Sequence, residues 1–287
     1  MTELSNAAFR LRLNPKHGGS VDGLSWHGED LLLPTRTPAG GPTDRASFPL
    51  VPFAGRIMEA RFAFGGRSYT LPPNFLPEPN VIHGFGWHAQ WQVSGQSETD
   101  ITLVHECNNP DWPSSYTAQQ TFRLGAHALE FDMSVTNTGS SAMPAGLGWH
   151  PYFPVDGAEI RSHVSAIWKP ENAAATPQPE ALSDADNLNT AQKVSGLSLD
   201  HCFTSTTTET LLHWPDRKLQ IKMTASDIFG HLVVYTPDGT PYFCAEPISH
   251  VPDAVNLQNP PEQTGLRVLE PGQTLNGKIW LEPSRTG

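Results

Sequence analysis

Two histidines and one carboxylate stand in stiff apolar surroundings. His83 lies in Pro79-Asn80-Val81-Ile82-His83-Gly84-Phe85-Gly86-Trp87, and His150 in Gly146-Leu147-Gly148-Trp149-His150-Pro151-Tyr152-Phe153-Pro154. Glu246 follows the apolar run Phe243-Cys244-Ala245 and precedes Pro247. Gly, Pro and aromatic neighbours fix the backbone and leave one polar group on an apolar wall. A group so placed costs free energy unless it is paired or put to use. Two imidazoles and a carboxylate point to acid–base chemistry in an aromatic cleft. For any one histidine a satisfied core or rim position is the commoner outcome. Two in similar frames favour a shared site, and the other ten histidines are read as surface residues. Glu246 is expected at the end of a buried strand that Pro247 terminates. There it is either a desolvated base or the partner of a core arginine.

Two further charges interrupt apolar runs. Arg56, in Val51-Pro52-Phe53-Ala54-Gly55-Arg56-Ile57, needs an acceptor, which is a core carboxylate or a substrate oxygen. Asp200, in Leu199-Asp200-His201-Cys202-Phe203, either accepts from hydroxyls or caps a turn, and the local sequence favours the cap. Trp87, Trp91 and Trp149 stand near the framed histidines as flat faces for a ligand or as ordinary core.

The elements that must hold these groups are strands. Charged residues make up only 16% of the 287, against 27 Pro and 24 Gly, a balance that disfavours a mostly helical chain. Alternation with period two recurs in Phe9–Leu13, Ile101–Val104, Leu129–Val135, Leu219–Met223, His231–Tyr235 and Gly277–Glu282. Turn signals at 14–19, 137–139, 237–239 and 271–272 separate such runs. No long amphipathic helix stands out. An all-β antiparallel sandwich is therefore expected, as a single unit over residues 1–287. Residues 34–52 and 170–196 read as long loops of the kind that carry function.

A net charge of -11 argues against nucleic acid or an anionic membrane as partner, and suits a neutral substrate. The three cysteines form no CxxC pair, so neither a disulfide framework nor a zinc knuckle is expected. No HxH or HExxH pairing suggests a metal hydrolase. The first residues hold no apolar leader, and nowhere do eighteen apolar residues run together, so a soluble cytoplasmic protein is expected.

Taken in order, Gly-Arg-Ile, Asn-x-x-His-Gly, Trp-His-Pro-Tyr-Phe, Asp-x-Cys-Phe and Cys-x-Glu-Pro with Pro-Asp-Ala-x-Asn resemble the aldose 1-epimerase (galactose mutarotase) family. The resemblance runs from the first turn to about residue 270. It implies a galactose-mutarotase-like β-supersandwich and interconversion of the α and β anomers of a sugar. By motif it makes Glu246 the general base, His150 the acid and His83 a second catalytic histidine. Arg56, Asp200 and Asn80 become the substrate-binding set. No metal or other cofactor is implied, and the only partner implied is a small-molecule sugar, with the protein a monomer or homodimer. Gly55 and Trp149 replace the family's commoner Asn before Arg56 and His150, and Pro-Ile-Ser-His follows Cys-Ala-Glu, which places the chain in a divergent bacterial-type branch. Two rivals stay open: a non-catalytic sugar-binding protein, and a sugar-phosphate epimerase using Arg45, Arg61 or Arg67. A hydrolase would need a second carboxylate, for which Asp253 is the best available partner of Glu246.

Overall fold

The computed structural model describes residues 2–36, 38–168 and 178–287. The alternating segments are strands. Phe9–Asn14, Leu129–Asn137, Leu219–Ala225 and Thr274–Arg285 bury every second side chain, because successive residues of a strand face opposite sides of the sheet. Residues 15–19 join Phe9–Asn14 to Ser20–Trp26, and residues 237–239 lie between His231–Tyr235 and Tyr242–Ile248, as their turn chemistry requires. Among the described residues α-helix is confined to Pro261–Thr264, and no helix is long and apolar enough to cross a membrane.

Among the described residues the main sheet has 18 strands, held together by one long element, the 15-residue strand Asp200–Trp214. Its first half pairs antiparallel with His231–Tyr235, and its second half with Leu219–Ala225. Two ladders leave it. One runs through Tyr242–Ile248 and Gly148–Pro154 to Ser47–Leu50. The other runs through Thr274–Arg285, Leu129–Asn137, Tyr116–Leu124 and Asp100–Cys107 to Gln92–Gln96. The ladders face each other over one large apolar core, where Phe131 of the second meets Trp149 of the first at 5.6 Å between ring centroids. This is the expected all-β sandwich.

Five strands carry the site and are labelled here: β1 Ser47–Leu50, β2 Gly148–Pro154, β3 Asp200–Trp214, β4 His231–Tyr235 and β5 Tyr242–Ile248. Alternation decides which side chains meet. On β2, Trp149 and Phe153 enter the main core, so His150 and Tyr152 face the other way. On β5, Phe243 and Ala245 point inward, so Tyr242, Cys244 and Glu246 share the face of His150. A second, smaller core containing Phe48, Leu50, Tyr152, Cys244 and Ile248 supports that face.

Three expectations need correction. Residues 34–52 are not all loop, because Ser47–Leu50 is a fully buried strand that carries Phe48 into the site. Pro49 obscures that strand in the sequence, since proline cannot donate to a ladder. Residues 178–196 contain two short strands, Glu180–Ala181 and Gln192–Lys193, both paired with Glu159–Trp168; residues 170–177 of the expected loop lie outside the described residues. Pro247 does not end its strand, which continues to Ile248. The β2–β5 ladder is instead interrupted between the pairs Tyr152↔Cys244 and Gly148↔Ile248, and the missing N–H of Pro247 falls in that gap beside Glu246.

Candidate active site

Glu246 and His150 meet in this gap. His150 Nε2 stands 3.3 Å from Glu246 Oε1, and both side chains are more than nine-tenths buried. They form the floor of a cleft of about 280 Å³ with Arg56, His83 and Asp200 in its lining. Its walls are Phe48, Ile82, Trp87, Tyr152, Val233, Tyr235 and Tyr242. A cleft at the small end of the range for ligand sites, roughly 300–1,000 Å³, suits one small ring.

The histidines are held by aromatic packing. The His150 ring stacks on Tyr152 at 4.8 Å and lies 4.6 Å from Phe48, and His83 meets it edge-on at 5.2 Å. Trp87 closes the back of the pocket, 5.5 Å from His83. Of the three tryptophans near the motifs only Trp87 lines the cleft. Trp91 and Trp149 belong to the main core, and the Trp149 indole donates to Ser47 Oγ at 2.9 Å.

His83 sits on a strained backbone with φ 60, a left-handed conformation that side chains other than glycine seldom adopt. Such strain persists only where the surroundings over-determine it, and it concentrates at functional positions. Here the His83 amide donates to the Gly55 carbonyl at 2.8 Å. Its neighbour Gly84 presses against the chain so closely that a Cβ would lie 2.1 Å from the Val51 carbonyl oxygen. The Gly-rich frame of His83 is thus a close crossing of two backbones.

Arg56 holds two carboxylates of the cleft wall. Its Nη2 is 3.3 Å from Asp200 Oδ2, and its Nε is 3.9 Å from Glu78 Oε2. Asp200 opens β3 and faces the cleft, so it is not spent as a turn cap. Asn80 is the one assigned residue that does not line the pocket. Its side chain accepts from the Glu59 amide at 3.0 Å and donates to Glu78, so it braces the loop that carries Glu78. Asp253 is likewise occupied, accepting from the Met58 amide and from Asn256, and it does not line the cleft. Asp253 therefore does not supply the second carboxylate that a hydrolase needs, and the other two carboxylates of the lining, Asp200 and Glu78, are both paired with Arg56. Arg45 is bound to Asp22 at 2.8 Å, and neither Arg61 nor Arg67 reaches the cleft. Among the described residues, Arg56 is the only Lys or Arg in the lining.

Burial dominates the electrostatics. It pushes the Glu246 carboxyl well above its ordinary value, and Asp200 adds to this while Arg56 opposes it. It pulls His150 down to about 3, and His83 well below its usual range with help from His150 and Arg56. A neighbouring carboxylate favours a protonated His150, but desolvation outweighs it, since it penalises both charged forms at once. At neutral pH His150 is therefore a neutral imidazole, and burial biases the Glu246 carboxyl beside it toward its protonated form.

Not all of the remaining histidines are surface residues. His201 lines the cleft, with Nε2 3.8 Å from Asp186. His231 and His250 are buried. His250 is fixed as a neutral tautomer, because Nδ1 donates to the Val251 carbonyl at 2.8 Å and Nε2 accepts from the Ala54 amide at 3.1 Å. The sequence reading missed Glu78, His201 and the tyrosines at 152, 235 and 242 as lining residues. Tyr242 could have been found from its spacing to Glu246 along an alternating strand. Glu78 gave no signal in its proline-rich loop.

Comparison with known proteins agrees with this geometry. A family model described as aldose 1-epimerase matches residues 2–282. The Escherichia coli K12 protein YphB, itself uncharacterized, is 30% identical over 287 residues, covering 97% of each chain. The crystal structure of an Escherichia coli K12 protein superposes with a TM-score of 0.88 at 28% identity, covering 99% of this chain and 98% of that one. A galactose mutarotase-like protein from Clostridium acetobutylicum gives the same TM-score at 18% identity, with coverage of 99% and 95%.

Proposed function

The chain belongs to the aldose 1-epimerase family, and on that premise we propose that it interconverts the α and β anomers of a neutral aldose. The observation that carries this reading is the His150–Glu246 pair, 3.3 Å apart on the floor of a cleft sized for one sugar ring. Anomerisation opens a hemiacetal and recloses it on the other face. Opening needs a base at the C1 hydroxyl and an acid at the ring oxygen. These two oxygens are bonded to the same carbon, so two groups a hydrogen bond apart can reach both.

Glu246 serves as the base and His150 as the acid. The carboxylate–imidazolium form this requires differs from the neutral arrangement that burial favours by one proton moved across the 3.3 Å contact. Sugar hydroxyls entering the cleft solvate the carboxylate and favour that transfer. On opening, Glu246 takes the C1 hydroxyl proton and His150 gives its own to the ring oxygen. After rotation about C1–C2 the same pair runs in reverse and closes the ring. Each positioned group contributes roughly 10²–10⁴-fold. Neutral His83, on its strained backbone, faces the oxygens where charge develops. Arg56 keeps Asp200 and Glu78 facing the ring hydroxyls.

The same wall supports a neutral sugar over a sugar phosphate. Arg56 is already flanked by Asp200 and Glu78, so among the described residues the cleft lining offers no unpaired cation to an anion. The test is polarimetry, or NMR exchange between anomers, on freshly dissolved α-D-glucose, α-D-galactose and L-arabinose. Acceleration that disappears in Glu246→Gln supports the reading. No acceleration with any neutral sugar, but a response to a sugar phosphate, overturns it.

A further inference from the structure

Ring opening makes no use of Cys244, which nevertheless shares a face with the catalytic pair. It precedes Glu246 by two residues on β5 and stands opposite Tyr152, two residues from His150 on β2. One donor atom from each of His150, Cys244 and Glu246 lies within 4.8 Å of the other two, and all three residues are buried. The thiol is free, and His150 Nδ1 is buried without a hydrogen-bond partner. Donors bound to one tetrahedral zinc at about 2.0–2.3 Å stand roughly 3.3–3.8 Å apart, so modest side-chain closure would bring this set to bonding distance.

We propose that His150, Cys244 and Glu246 form a site for a thiophilic divalent cation, and that an ion bound there blocks the cleft. Imidazole, thiolate and carboxylate select zinc or cadmium over magnesium or calcium, which prefer all-oxygen shells. Charge balance suits the buried location. In the bound state the dication is neutralised by one thiolate and one carboxylate, so no net charge is buried. Three protein ligands leave a fourth position open toward the cleft, where His150 and Glu246 line the wall. An ion there occupies the base and the acid together, so sugar turnover stops. This last consequence rests on the function proposed above; the binding does not.

The experiment is a cadmium titration of the full chain, followed both by ultraviolet absorption and by anomerisation rate. A cadmium–thiolate charge-transfer band should grow to one equivalent as the rate falls. Cys244→Ser should abolish the band while leaving the basal rate unchanged. It should also raise the cadmium concentration for half-inhibition by at least about tenfold. Cys202→Ser should keep the band, which controls for the thiol that lines the cleft. Binding should tighten as pH rises, since the thiol must lose its proton to ligate the ion. No band in the wild-type protein, a band that survives in Cys244→Ser, or one lost only in Cys202→Ser overturns the proposal. If the protein anomerises none of the sugars, the absorption titration still decides whether the metal site exists.

Discussion

Glu246→Gln should make the protein a poorer catalyst and a more stable fold. Gln keeps the shape of the side chain and its contact with His150 but cannot take a proton. The loss of one positioned base predicts a rate lower by roughly 10²–10⁴-fold. The stability change follows from burial. The carboxyl ordinarily ionises near 4.5, and burial holds it well above that value in the folded chain. Above 4.5 the unfolded chain therefore releases a proton that the folded chain keeps. Native-state stability then falls as pH rises, until the folded carboxyl itself ionises. Each pH unit of that window costs the wild type about 1.4 kcal/mol and costs the variant nothing. The two proteins should be equally stable near pH 4 and diverge above it, with the variant ahead. Buried histidines are common to both and cancel in the difference. Urea unfolding of each protein at about pH 5, 6 and 7, with polarimetry on the same samples, measures both effects. A stability difference that stays flat or shrinks with pH refutes the buried, protonated carboxyl. An unchanged rate refutes its role as base.

His150→Asn should likewise lower the anomerisation rate by roughly 10²–10⁴-fold, and wild-type turnover in that variant would shift the acid role to His83. Glu78→Gln should raise KM for a neutral aldose by up to about tenfold with kcat little changed, because in the proposed reading this cleft-wall carboxylate faces ring hydroxyls and not the reacting oxygens; a fall in kcat at constant KM would contradict this. Gly84→Ala should destabilise by at least about 2 kcal/mol, since the position has φ +72 and a Cβ would meet the Val51 carbonyl at 2.1 Å, and a urea midpoint equal to wild type would show that the two backbones can separate. Acid should weaken the fold. Burial holds His150 to about 3 and His231 and His250 to about 4, so below their ordinary 6.5 the unfolded chain binds protons that the native chain refuses. With His83, also held well below its usual range, four such histidines against the opposing carboxyl of Glu246 give a loss of up to about 4 kcal/mol per pH unit around pH 5, and equal urea midpoints at about pH 5 and 6.5 would contradict it.

The strands were legible because alternation is a local property. Leu129–Val135 shows its buried face in seven residues whatever it pairs with. The pair of His150 and Glu246 was legible for a related reason, since each is the polar exception in an apolar alternating run, and parity alone puts each opposite its core-facing neighbours. Register was not legible. Nothing local says that the β2–β5 ladder breaks between Tyr152↔Cys244 and Gly148↔Ile248, yet that break accommodates the pair. Ser47–Leu50 escaped detection because Pro49 imitates a loop. Glu78 escaped because its place in the cleft depends on a long-range contact with Arg56. Asn80 was misplaced for the converse reason: it belongs to the motif but turns its amide toward its own loop.

The direction of the charge shifts at first sight opposes acid–base catalysis, because burial disfavours both the carboxylate and the imidazolium that ring opening requires. The reaction proposed above resolves the conflict. Once the ring has opened, Glu246 carries a proton and His150 has given one up, which is the neutral arrangement that burial favours. Once the ring has closed, the charged arrangement returns, now solvated by sugar hydroxyls. The two arrangements therefore alternate with the state of the sugar and differ by one proton over 3.3 Å. In a wet site the charged pair would be stable without substrate, and the proton would have to be pulled from a well-solvated imidazolium. In the dry site the free energies of the two arrangements lie closer together, so neither opening nor closing starts from a deep well. The apolar frames that made His150 and Glu246 conspicuous in the sequence are what bring the two arrangements toward balance.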